Sequence, residues 1–211
     1  MSVYFIVVFF NILIGAVIPF KQYKNGLFLF FLFSGIADPI NLILNSFLGI
    51  NPNIIIYIYN VVAFIVTVSY VKKEKVSKVY LAAMVIFICL IPLLSFDVLF
   101  VAQTQNGSSI FIGLYAFVNL LVLYNFLILM SRGIFSTGKI NLYFIVIVLS
   151  SLLTVLKVGV LAIKLQVGIE YFVISYFLEG IIGIYFIFFD IKNSPQIPLA
   201  GKRINTGTIE S

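Results

Sequence analysis

In a chain of 211 residues, 63% belong to apolar types and only 9% are charged, far from the balance of soluble domains, so a water-soluble fold is excluded. The formal charge of +6 comes from basic residues set in short gaps between apolar runs, which excludes a nucleic-acid partner and points to membrane orientation. Histidine is absent and Cys89 is the single cysteine, removing His-dependent catalytic triads, His-rich zinc sites and any intrachain disulfide.

A helix needs about 20 apolar residues to cross the hydrocarbon layer. Seven such runs lie near 3–20, 27–49, 53–71, 78–96, 109–130, 141–163 and 171–190, separated by breaks rich in Gly, Asn, Pro, Lys or Ser. The expected fold class is an all-α polytopic membrane protein, a seven-helix transmembrane bundle over residues 1–191 with its N-terminus out and its C-terminus in. The first run has no basic lead-in and no small-residue cleavage site, and Lys21 and Lys24 follow it, so it reads as a retained helix. Of the 13 Lys and Arg, this topology puts eleven on the cytoplasmic side, Lys164 alone outside and Lys157 within a span, a strong positive-inside asymmetry.

The second run carries Ser34, Asp38, Asn41 and Asn45 on one helical face, with Pro39 directly after Asp38. A mid-helix proline removes a backbone hydrogen bond and frees a carbonyl, here that of Gly35, to join a polar layer. The third run places Asn53, Tyr57, Asn60 and Thr67 on one face. After it, "KKEKVSK" reads as an inner loop whose lysines enforce topology and touch anionic lipid. The break from Asp97 to Ser109 is mildly apolar in its first half and fits an interfacial segment or an extension of the fourth helix. The fifth run holds Asn119; the sixth aligns Ser150, Thr154, Lys157 and Lys164; the seventh aligns Ser175, Glu179 and Gly183. Tyr4, Tyr80, Tyr143 and Tyr171, near run ends, read as interfacial anchors. Residues 192–211 are polar and contain two prolines, so a disordered cytoplasmic tail is expected.

Asn11 and Lys24 have the same spacing as Asn119 and Arg132, and Asn60 and Lys73 the same as Glu179 and Lys192. These matches suggest a parallel repeat of the first three helices in the last three, a three-plus-one-plus-three plan. In span count and orientation it resembles SWEET-type carriers and microbial rhodopsins. A retinal protein needs a lysine in its seventh helix, and "YFVISYFLEGIIGIYFIFFD" has none; the only Pro-Gln pair, Pro195-Gln196, lies in the tail. The stretches "SGIADPINLI" and "NIIIYIYNVVAFIVTVSY" resemble small uncharacterised seven-span bacterial membrane proteins, a resemblance that implies no activity.

Charged side chains within a span cost about 3 kcal/mol each on insertion scales. Asp38, Lys157 and Glu179 are the three. At the rise of an α-helix they lie roughly 16, 10 and 13 Å below the outer ends of their runs, a common layer. Asn11, Asn41, Asn60 and Asn119 fall at similar depth, and the last three complete the candidate ligand- or ion-binding set. The plainer alternatives are an ion pair between Lys157 and Glu179 that fixes two helices, a Lys157 that snorkels to the interface, and asparagines that only join helices. The leading reading is a small plasma-membrane transporter or proton- or cation-coupled carrier, with the bilayer and a small polar ligand, proton or cation as partners. A receptor acting through a cytoplasmic partner is the alternative. A lipid enzyme comes third: the paired aspartates of lysoplasmalogenase-type hydrolases are missing, as are GxSxG, HExxH and Walker elements. No cofactor is implied.

Overall fold

The computed structural model describes residues 3–35, 40, 62–68, 105–163 and 165–199. Its long helices are α1 (Val3–Gln22), α2 (Gln105–Thr137), α3 (Leu142–Ala162) and α4 (Ile169–Phe188). Each contains a stretch long and apolar enough to cross a membrane: Val3–Gln22, Ala116–Thr137, Leu142–Val160 and Ile169–Phe188. Their outward surfaces match that reading. Along α1, Phe5, Ile6, Phe9, Phe10, Leu13, Val17 and Phe20 are all exposed, an apolar face that water would not tolerate and lipid would.

The seven-span expectation is corrected. Among the described residues four helices qualify as spans. Of the second and third runs the described residues form helix at 28–35 and 62–68, neither of which qualifies as a span, and most of the remainder of those runs and the run at 78–96 lie outside the described residues. The three-plus-one-plus-three repeat and the N-out/C-in sorting depended on seven alternating spans and fall with them. Apolar length measures the cost of transferring a segment to lipid, not whether the segment forms one uninterrupted crossing helix. The all-α class fits a structure that is mostly helical.

Local chemistry sets the helix limits. No acidic residue opens α1, and Lys21 lies in its last turn, where a cation complements the carbonyl end of the helix dipole. Pro19, also inside α1, has no N–H to give the carbonyl of Gly15. Gly35 packs at that carbonyl: a Cβ on residue 35 would collide with the Gly15 oxygen and lie 3.4 Å from the Pro19 ring. At the end of α2, Gly138 takes φ 65° and donates its N–H to Ile134 at 2.9 Å, the left-handed turn glycine permits without penalty. The chain then forms strand β1 (Lys139–Asn141) and turns into α3.

β1 pairs antiparallel with β2 (Gln196–Pro198), in the register Lys139↔Pro198, Ile140↔Ile197 and Asn141↔Gln196. The start of the expected disordered tail is thus ordered. The Leu142 N–H donates to Pro195 at 2.9 Å and the Leu199 N–H to Gly138 at 3.2 Å, so paired backbone supplies the order that composition did not forecast. Residues 200–211 lie outside the described residues.

α1 and α4 run parallel, and their contacts advance in register: Asn11 with Tyr176, Ile14 with Gly180 and Gly183, Gln22 with Phe186 and Phe189. Glycine allows this approach, since a Cβ on Gly183 would overlap Ile14. α2 and α3 form a second close pair, antiparallel across the short β1 connection. α4 packs far more extensively on α1 than on α3. The ends bearing Lys21, Lys24, Arg132, Lys139 and Lys192 therefore gather on one side, called the basic end below.

Near that end the two helix pairs share an aromatic core. Phe30 meets Phe126 edge-on at 5.3 Å, Phe31 meets Phe186 at 5.0 Å, and Tyr143 meets Phe186 at 5.3 Å. Leu27, Phe126, Tyr143 and Ile147 are fully buried there. Between helices in lipid such close packing and hydrogen bonds, rather than release of water, supply the attraction.

Candidate functional site

α3 and α4 face each other through Lys157 and Glu179. The Lys157 ammonium lies 2.6 Å from both carboxylate oxygens of Glu179, the geometry of a strong charge-assisted bond. It also sits over the face of Tyr176, 4.2 Å from the ring centroid, within range of a cation–π attraction. Tyr176 and Glu179 are three positions apart on α4, so one helical face presents ring and carboxylate together. The pair keeps some access, with side-chain exposures of 16% for Lys157 and 22% for Glu179.

α1 braces this face of α4. The Asn11 amide donates to the Tyr176 carbonyl at 2.6 Å, and its side-chain oxygen faces Gly180, where a Cβ would stand at 3.0 Å. Tyr4 packs edge-on against the Tyr176 ring at 5.9 Å. The carboxylate and ring are thus held by the tight α1–α4 pair, while the cation arrives from α3. Lys157 is engaged with Glu179 instead of reaching for the interface.

Of the expected set, Lys157 and Glu179 are brought together. Asn119 is buried on α2 beside Val118 and Val122 of the shared core. Asp38, Asn41 and Asn60 lie outside the described residues, as do Pro39 and Lys164. The expected polar stripes are largely satisfied within their own helices: Thr154 donates to the Ser150 carbonyl at 3.2 Å and Ser175 to that of Tyr171 at 2.8 Å. Gly183 takes up Ile14 rather than lining a polar surface.

A second polar cluster, which sequence reasoning missed, closes the basic end. Gln22 is 1% exposed and Tyr143 0%, and together with Asn25 they form a ring of bonds. Asn25 donates to the Gln22 side-chain oxygen at 2.9 Å and to the Tyr143 hydroxyl at 2.7 Å, and that hydroxyl donates to Gln22 at 3.2 Å. The Ser194 hydroxyl accepts from the Tyr143 N–H at 2.9 Å and bonds the Tyr185 hydroxyl at 2.6 Å. Tyr143 is therefore no interfacial anchor. Its position at a run end suggested one, but Gln22, Asn25, Ser194 and the rings of Phe31 and Phe186 enclose it. A third bond, from Asn125 to the Thr67 hydroxyl at 3.2 Å, ties the segment 62–68 to α2.

Tyr176 carried a weak signal. It could have been found from its i, i+3 relation to Glu179, whereas the depth of Asn11 in the first run puts it in the expected polar layer. The chain matches no protein family, curated protein or solved structure.

Proposed function

We propose that the protein is a small carrier of a bacterial plasma membrane, in which separation of Lys157 from Glu179 accompanies exchange of a proton or cation. One observation carries this reading: the ion pair bridges two separately packed helix pairs, α1–α4 and α2–α3, away from the end where they are stitched together. At the basic end the aromatic core, the Gln22–Asn25–Tyr143 cluster and the β1–β2 strands all join the two pairs. Lys157 lies roughly 21 Å from Tyr143 along α3 and Glu179 roughly 10 Å from Phe186 along α4, so the basic end serves as a fulcrum and the ion pair sits away from it. Alternating access needs two arrangements of two bodies about a site, and a reversible contact between them supplies the switch.

Energetics support the same reading. An apolar pair of similar volume usually holds two helices at least as well as an ion pair in a low-dielectric setting. Charges inside spans mark ion or substrate pathways more often than soluble charges do. The test is flux in proteoliposomes under an imposed pH gradient. Parent protein is expected to carry substrate-dependent proton flux that Glu179→Gln and Lys157→Gln each abolish while the protein stays folded. Undiminished flux in both variants rejects the role assigned to the pair. Asp38→Asn in the same assay reports whether Asp38 shares the coupling.

A further inference from the structure

The occupant of the Glu179–Tyr176 cradle is already an organic ammonium group, carried on a lysine stem. Both oxygens of the carboxylate contact it at 2.6 Å, and an aromatic face lies 4.2 Å away. A carboxylate opposite an aromatic face is the arrangement that recognises amines and quaternary ammonium ions, because the charge is neutralised on one side and the alkyl groups are accommodated on the other. An inorganic cation would instead need several oxygen ligands around it, and among the described residues the second contact of the ammonium on this face is a ring.

The cradle and its occupant belong to different bodies. Asn11 and Tyr4 of α1 hold Tyr176, and Glu179 follows three residues later on α4. Lys157 comes from α3, which packs on α4 far less extensively than α1 does. When the helix pairs part, Lys157 leaves with α3 and the cradle stays assembled on α1–α4. Resting on the carrier reading above, we infer that the substrate is a small organic ammonium ion, which takes the place of the Lys157 ammonium between Glu179 and Tyr176. Lys157 is then an internal competitor that keeps the empty carrier neutral at this site, and displacing it couples binding to separation of the helix pairs.

The experiment uses the full chain purified in detergent, titrated with tetramethylammonium chloride against sodium chloride at equal ionic strength and against tert-butanol as an uncharged analogue. Tryptophan is absent and tyrosines number 12, so intrinsic emission reports on tyrosine and follows binding beside Tyr176. Tetramethylammonium alone is expected to give a saturable change. Removing the competitor with Lys157→Gln is expected to tighten binding about tenfold, and Glu179→Gln to abolish it. A measurement without variants accompanies these. Reductive methylation of Lys157 in the parent protein is expected to quicken several-fold with tetramethylammonium and not with sodium.

Equal responses to tetramethylammonium and sodium in both emission and methylation overturn the inference. So does binding that survives Glu179→Gln in folded protein. Ammonium binding without any flux in proteoliposomes leaves the inference standing and rejects the carrier reading. Proton-coupled flux that no ammonium ion inhibits does the reverse.

Discussion

The side-chain amide of Gln22, the last residue of α1, donates to the main-chain carbonyl of Phe186 at 2.6 Å and to that of Phe189 at 2.8 Å. These are carbonyls of the last turn of α4, which the helix itself leaves without intrahelical donors. One side chain thus caps a helix more than 160 positions away in sequence and fixes the two C-terminal ends side by side. Gln22→Leu preserves volume but strands those carbonyls and the donors of Asn25 and Tyr143. The expected loss is about 2–3 kcal/mol, read as a lower unfolding midpoint in detergent. A midpoint equal to that of the parent would show that the cap contributes little.

Tyr143 separates ring packing from hydroxyl bonding at a single position. Its hydroxyl meets Asn25 and Gln22, while its ring meets Phe31 and Phe186. Tyr143→Phe keeps the ring and is expected to cost about 1–2 kcal/mol. Tyr143→Ala also opens a cavity in the shared core and is expected to cost about 3–5 kcal/mol. Thermal unfolding of the two variants together gives the split.

Gly15 and Gly35 touch backbone to backbone, but unequally. A Cβ on Gly15 would rest 3.4 Å from the Gly35 Cα, an ordinary contact, whereas a Cβ on Gly35 would collide with the Gly15 carbonyl oxygen. Gly35→Ala is therefore expected to destabilise by about 1–3 kcal/mol through forced separation of the segments. Gly15→Ala is expected to be close to neutral. The reverse ranking in thermal unfolding would contradict the contact.

Removing one member of the Lys157–Glu179 pair leaves the other charged beside an aromatic face in a low-dielectric region. Each single change to Gln is expected to cost about 1–3 kcal/mol, less than for a fully buried pair because both groups keep some access. The double variant is expected to be more stable than the sum of the two losses predicts, since neither charge is then stranded. A double-mutant cycle in detergent measures that coupling, and strict additivity would argue against a direct pair.

Ile140 and Ile197 stand opposite each other in the β1–β2 register. In a Cys89→Ser background, Ile140→Cys with Ile197→Cys is expected to form a disulfide on mild oxidation, since directly opposed strand positions bring Cβ atoms to about 4.5–5.5 Å. A cysteine at Lys192 with one at Ile140 serves as the unmatched control. Cross-linking no faster than that control would place the start of the tail elsewhere.

Composition and apolar run length were enough to expect a helical membrane protein, because the cost of exposing or burying a backbone and its side chains is set by residue type and needs no partner. Four of the seven runs coincide with helices long and apolar enough to cross. Helical periodicity and depth also brought Lys157 and Glu179 forward as a related pair, since an uncompensated charge within a span is too costly to be incidental. Run length could not fix the number of crossings, because apolarity does not state where a helix is interrupted or what it packs on.

Tertiary structure alone decided the rest. That Gln22 and Asn25 close on Tyr143, that Tyr176 lies beneath the Lys157 ammonium, and that Gln196–Pro198 pairs with Lys139–Asn141 all depend on groups far apart in sequence. Their partners are chosen by which helix lies alongside which. That choice rests on small residues such as Gly35, Gly180 and Gly183 that admit a neighbour, and no local pattern of polarity records it.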